Sequence, residues 1–152
     1  MKGQIASGAD TVQLFDSWAG LLGPEDFKEW SLPFLTQISA AIDEVPVIVF
    51  AKGSWYALKE ISEIPNAAAV GLDWTIPPKF ARENVTGDIT VQRNFDPTWL
   101  LGERADIIAK TKNMIDEFGV QNYIANLGHG ILPNVPVDNA KAFVNTVKEY
   151  TA

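Results

Sequence analysis

The sequence predicts an α/β fold on three observations: five short apolar runs of strand length, segments of helical spacing between them, and connections long enough for parallel crossovers. The runs are Val12–Phe15, Val47–Ala51, Ala69–Leu72, Ile89–Gln92 and Asn122–Ala125. Ahead of the first, Met1 to Gly8 reads as the tail of a helix ending at a C-terminal glycine. Phe34, Ile38, Ala41 and Val45 fall on one helical face, and Pro46 stops that helix before the second run. After the fourth run, Asp96 is placed to cap a helix with Pro97 at its first position. Leu101, Ala105, Ile108 and Ile115 form its expected apolar stripe, and Gly119 its end. The last helix carries Ala140, Phe143, Val144 and Val147 on one face. Either a barrel segment or a small doubly wound sheet accommodates this order. No tandem repeat, low-complexity tract or linker-like shift in composition divides the chain, so one continuous unit is expected.

With 152 residues, 47% of them hydrophobic, the chain is long enough to bury a core of ordinary domain size. Its 19 acidic and 12 basic residues give a net charge of −7, and no run of Lys or Arg is present to neutralise a row of phosphates. Nucleic acid is therefore not an expected partner. The absence of cysteine excludes disulfides, thiolate nucleophiles and thiolate-bound zinc. A single histidine leaves only carboxylates to complete a metal shell, so no metal site is expected. No apolar stretch approaches the ~20 residues that cross a bilayer, and the start of the chain lacks the apolar block of a signal peptide. A cytoplasmic protein is expected, with a plastid stroma as the alternative, and no membrane partner.

In parallel α/β folds the ligand site forms where the strands end. Each predicted strand is followed there by polar or charged residues: Asp16 and Ser17, then Lys52 and Ser54, then Asp73, then Arg93, Asn94 and Asp96, then Asn126 and His129. Ser54 and Asp96 are expected to cap helices. Lys52, at a strand end, is expected to pair with Asp16 or Asp73. His129 stands between Gly128 and Gly130, which permit a sharp turn or a close backbone approach to a ligand. Trp18, Trp55 and Trp74 all follow strand ends; packing beneath helices is their expected role, with the wall of a pocket for a flat apolar ligand as the alternative. There is no nucleophile elbow, phosphate-binding loop or dinucleotide glycine fingerprint.

Four stretches together resemble the uroporphyrinogen decarboxylase family: Val12-Gln13-Leu14-Phe15-Asp16-Ser17-Trp18-Ala19-Gly20, Gly71-Leu72-Asp73-Trp74, Gln92 to Pro97, and Ile124-Ala125-Asn126-Leu127-Gly128-His129-Gly130-Ile131-Leu132-Pro133. The likeness runs from about residue 3 to residue 150 and is strongest in the last stretch. It implies a partial (β/α)8 TIM barrel of about five of the eight βα units, with residues 1–152 forming the C-terminal part and the N-terminal part missing. It implies further an enzyme, usually a homodimer, that removes the carboxyl groups of the four acetate side chains of uroporphyrinogen, a tetrapyrrole, to give coproporphyrinogen in haem and chlorophyll biosynthesis, with no metal and no organic cofactor. By position, Ser17 and His129 match the family's substrate-contacting serine and histidine, whose implied role is to bind carboxylate side chains. The related cobalamin-dependent methyltransferases have a zinc-site pattern resembling His-x-Cys where this chain has Phe50-Ala51-Lys52, which argues against them.

The chain departs from the family pattern at Arg93, where glycine is usual, and at Phe95, where leucine is usual. Arg93 either crowds the pocket or offers a further carboxylate contact. The family's arginine-rich segment, the aspartate facing the pyrrole nitrogens and the substrate-contacting tyrosine have no counterpart in these residues, so no catalytic residue is assigned and activity of the chain alone is not expected. A non-catalytic half-barrel that self-associates through its sheet edges is the alternative. A Schiff-base lyase using Lys52 is a weaker one.

Overall fold

Residues 1–92 and 94–151 are described in a computed structural model of the chain. Strands β1 (Val12–Asp16), β2 (Val47–Ala51), β3 (Ala67–Gly71), β4 (Thr90–Gln92) and β5 (Tyr123–Ile124) pair in parallel into one sheet, in chain order. The helices are α1 (Lys2–Ala6), α2 (Pro24–Trp30), α3 (Leu32–Ala40), α4 (Leu58–Ser62), α5 (Pro78–Asn84), α6 (Arg104–Phe118) and α7 (Val137–Glu149). A doubly wound sheet reverses its strand order at a switch point, whereas this sheet advances in one direction throughout. The chain is thus a partial (β/α)8 barrel with five of its strands.

Every predicted run contains a strand, with ends displaced by a residue or two. The fifth shortens most, to Tyr123–Ile124; Asn122 precedes it with a left-handed φ of 49°, and its carbonyl still accepts from the Val91 nitrogen at 3.0 Å. Gly8 and Gly119, with φ of 97° and 74°, follow α1 and α6 as the sequence predicted.

Partner residues in neighbouring strands share a face, and the register assigns each face its residues. Val12, Leu14, Val47, Val49, Val70 and Val91 point to the helices, where they join Phe27, Leu58, Ile61, Ile107 and Phe118 in the core. Gln13, Phe15, Ile48, Phe50, Ala69, Gly71, Gln92 and Ile124 occupy the opposite face, which lines the barrel interior. That face positions the candidate site.

The buried helix stripes match the predicted ones only in part: Ile115 and Phe143 are buried and Val147 packs against the core as expected, while other positions differ. In α3, Leu35 and Ser39 are buried while Phe34 and Ile38 are exposed, and Ala41 and Val45 lie beyond the helix end. Asp96 caps a 3₁₀ turn over Pro97–Leu101, accepting from the Thr98 nitrogen at 2.8 Å, and α6 begins only at Arg104. Its buried face is Ile107, Thr111, Met114, Ile115 and Phe118, and Leu101 and Ala105 are exposed. In α7, Ala142, Phe143 and Thr146 are buried and Val144 is exposed. Each buried stripe also includes a hydroxyl residue that a count of apolar side chains passes over. Ser39 donates to the Pro65 carbonyl, Thr111 to Ile107 and Thr146 to Ala142, so each hydroxyl enters the core already hydrogen-bonded.

Candidate functional site

Most of the polar residues at the strand ends build the loops of the rim. The Asp16 carboxylate accepts from the Ser31 hydroxyl at 2.6 Å and from the Trp18 backbone nitrogen at 3.2 Å, joining the end of β1 to the start of α3. Asp73, only 2% exposed, accepts from the Gly53 nitrogen at 2.7 Å and from both the nitrogen and the hydroxyl of Thr75. The Asn94 amide donates to the carbonyls of Asp73 (3.0 Å) and Ile76 (2.6 Å), fastening the loop after β3. Ser54 donates to the Ala51 carbonyl and caps no helix, contrary to expectation.

The predicted pairing of Lys52 with Asp16 or Asp73 does not form. Among the described residues the ion pairs are Lys2–Glu44, Lys28–Glu60, Lys79–Glu83 and Lys141–Asp138. Both aspartates are already engaged by loop donors, and the Lys52 ammonium lies instead over the Trp74 ring, 5.4 Å from its centroid.

His129 is half-buried and sits against two aromatic rings, Phe50 at 6.4 Å and Trp74 at 6.2 Å between centroids. Phe50 belongs to β2 and His129 follows β5. A flat sheet would hold those two strands about 14 Å apart. The sheet therefore curls, and the loop after β5 folds back across the strand ends. Four glycines make room for close approaches around this arrangement. A Cβ at Gly71 would meet the Phe50 side chain at 2.9 Å, one at Gly128 would meet the Trp74 nitrogen at 2.6 Å, and Gly20 and Gly53 approach each other back to back. Gly130 has open space around its α-carbon, so of the two glycines flanking His129 only Gly128 is required by packing, and it approaches protein backbone.

Ser17 is half-buried, in a cavity of about 730 Å³ along the β1 edge with Asp16, Trp18, Trp30 and Phe34. His129 lines a separate cavity of about 400 Å³ with Asn126, Leu127, Ile131 and Phe143. The two predicted site residues thus lie in neighbouring spaces, and Phe15 borders both. Phe15 is 61% exposed on the barrel-interior face and packs edge-on against Phe50 at 5.8 Å. Sequence reasoning passed over it, although the alternation Val12-Gln13-Leu14-Phe15 already contained the signal: two buried residues interleaved with two that face inward.

Of the tryptophans, Trp74 packs on His129, whereas Trp55, which touches Tyr56 and Phe80, is 53% exposed and Trp18 is 76% exposed, so neither of these two is buried beneath a helix. The β1 edge is open, so nothing covers it. Phe95 is buried against Phe143, 5.0 Å between ring centroids, which accommodates one departure from the family pattern. The other, Arg93, lies outside the described residues. No group of three His, Cys, Asp or Glu side chains able to hold a metal ion occurs among the described residues, and no described helix is long and apolar enough to cross a membrane.

The fold is similar to that of a methyltransferase from Methanosarcina mazei, with a TM-score of 0.83 at 21% sequence identity, over 97% of this chain and 44% of that one. Sequence comparison is more specific. The chain is 52% identical over 151 residues to the uroporphyrinogen decarboxylase of Christiangramia forsetii, covering 99% of this chain and 44% of that protein. It is 50% identical to that of Flavobacterium johnsoniae, with the same coverage, and 40% identical over 160 residues to that of Homo sapiens, covering 99% of this chain and 43% of the human protein. The chain therefore spans less than half the length of these curated relatives. The family description "Uroporphyrinogen decarboxylase (URO-D)" matches residues 1–150, nearly the whole chain, and on this match the chain belongs to the uroporphyrinogen decarboxylase family, a family of enzymes.

Proposed function

We propose that the chain is the C-terminal part of a uroporphyrinogen decarboxylase barrel, and that the inward face of its sheet forms one wall of the pocket for uroporphyrinogen. The seat of His129 against Phe50 and Trp74 carries this reading, because it holds a hydrogen-bonding imidazole at the strand ends beside the exposed ring of Phe15. On this reading His129 and Ser17 donate hydrogen bonds to carboxylate side chains of the tetrapyrrole. The remaining βα units, roughly three, complete the barrel. They supply the acid that protonates the pyrrole carbon and the anion that stabilises the cationic intermediate before carbon dioxide leaves. The complete enzyme works as a homodimer without metal or organic cofactor, and releases four carboxyl groups to give coproporphyrinogen.

The test is to express the chain alone and together with the N-terminal units of a relative, and to follow coproporphyrinogen by fluorescence after oxidation. Turnover by the assembled barrel and none by the chain alone is the expected result. An assembled barrel that folds but yields no coproporphyrinogen would retire the reading.

A second reading is that the chain by itself is a self-associating half-barrel. Two open edges support it. Trp18, Leu21, Trp30, Phe34 and Ile38 are exposed beside β1, and Ile124, Ile131, Val137 and Val144 on the side of β5.

A further inference from the structure

We propose that Lys52 anchors a carboxylate of the ligand next to His129, an assignment that rests on the tetrapyrrole reading above. Lys52 follows β2 directly, as the first residue of a turn, and its backbone nitrogen donates to the Asp16 carbonyl at 2.9 Å. The ammonium group rests 5.4 Å from the centroid of Trp74, the ring that also packs on His129 at 6.2 Å. Lys52 and His129 are thus joined through one indole at the mouth of the barrel.

The two acids expected from the sequence to pair with Lys52 are both engaged by loop donors. Asp16 is turned toward the helix side, to Ser31 and Trp18, and Asp73 accepts from Gly53 and Thr75. A half-buried cation on an aromatic plane, with no carboxylate partner among the described residues, is a site for an anion from outside. In a chain of net charge −7, such a group also gives a polyanionic ligand a local attraction that the overall charge does not. A role confined to holding Trp74 in place is the competing explanation, and it predicts a loss of stability without a change in ionic binding.

The experiment titrates the assembled barrel with uroporphyrin, the oxidised and non-reacting form of the proposed substrate, by fluorescence at several salt concentrations. Three variants are compared: Lys52→Met, Lys52→Arg, and Lys112→Met on the exposed side of α6, which changes the net charge by the same amount. Lys52→Met is expected to weaken binding about tenfold and to flatten its salt dependence, corresponding to one lost charge-assisted hydrogen bond. Lys52→Arg retains most of the affinity, and Lys112→Met changes it by no more than about twofold. Equal binding by Lys52→Met and Lys112→Met would overturn the assignment, as would a lowered melting temperature in Lys52→Met with unchanged affinity. An assembled wild-type barrel that takes up no uroporphyrin at about 1 mM would overturn it as well. Failure of the family reading is scored separately, as the absence of coproporphyrinogen from the assembled barrel with Lys52 in place.

Discussion

Gly128 lies so close to Trp74 that a Cβ at position 128 would sit 2.6 Å from the Trp74 backbone nitrogen. That contact brings the loop after β5 onto the loop after β3, and with it His129 onto the indole. Gly128→Ala is expected to destabilise the chain by about 2 kcal/mol, since the obstacle is backbone and has no rotamer to yield. Gly130→Ala, in open space, stays within about 0.5 kcal/mol of the wild type. Urea denaturation of both variants checks the pair, and equal midpoints would contradict the packing role of Gly128.

The Arg82 guanidinium reaches from α5 to the carbonyls of Phe118 (2.9 Å) and Gln121 (3.0 Å), tying down the turn that leads from α6 into β5. Arg82→Met keeps the aliphatic stem and removes the donors. It is expected to cost about 2 kcal/mol, within the range for hydrogen bonds from a charged group, and to increase amide hydrogen exchange in β5 more than in β1. Uniform exchange across the sheet would show that the tie is not local.

Tyr123 stacks on Phe118 at 4.8 Å, and its buried hydroxyl has no hydrogen-bond partner among the described residues. Burial raises the phenol well above its ordinary value, with Arg82 opposing the effect. A raised acid in the folded state contributes stability fully present below the unfolded value of about 10, and that contribution is lost as pH rises through the folded value. Tyr123→Phe is therefore expected to be neutral or stabilising at pH 7, by up to about 1 kcal/mol, and to lose less stability than the wild type above pH ~10. Thermal melts at the two pH values measure both effects.

In the assembled barrel, His129→Ala is expected to raise KM for uroporphyrinogen about tenfold, and Ser17→Ala by a smaller factor, if both bind carboxylates in ground and transition states alike. A fall in kcat at constant KM would place His129 in the chemistry instead.

Sedimentation of the isolated chain is expected to show concentration-dependent oligomers. Leu21→Glu with Phe34→Glu, both on the exposed β1 side, should shift the distribution toward monomer without lowering the melting temperature. A wild-type chain that stays monomeric would remove the self-association reading.

The strands and stops were legible in the sequence because they are local. Five apolar runs, the left-handed glycines at 8 and 119 and the Asp96 cap each depend on a few adjacent residues, and the structure has all of them. The buried helix faces were legible only in part, at Ile115, Phe143 and Val147. Phe34 and Ile38 are apolar and in phase, yet Leu35 and Ser39 are the residues that go inward, because the neighbouring loop offers the Pro65 carbonyl to the serine. Lys52 was misjudged for a similar reason: its two nearby acids were visible, but the loop donors that engage them were not.

At the site, the residues alone pointed to Ser17 and His129, through a run of motif that resembles one family. The seat of His129 belongs to the folded chain. It depends on β2 and β5 approaching across a curled sheet, on Gly71 leaving room for Phe50, and on Gly128 meeting the Trp74 backbone. Residues at positions 50, 74 and 129 come together only when long-range strand order sets the curvature, and no local period or spacing encodes that distance.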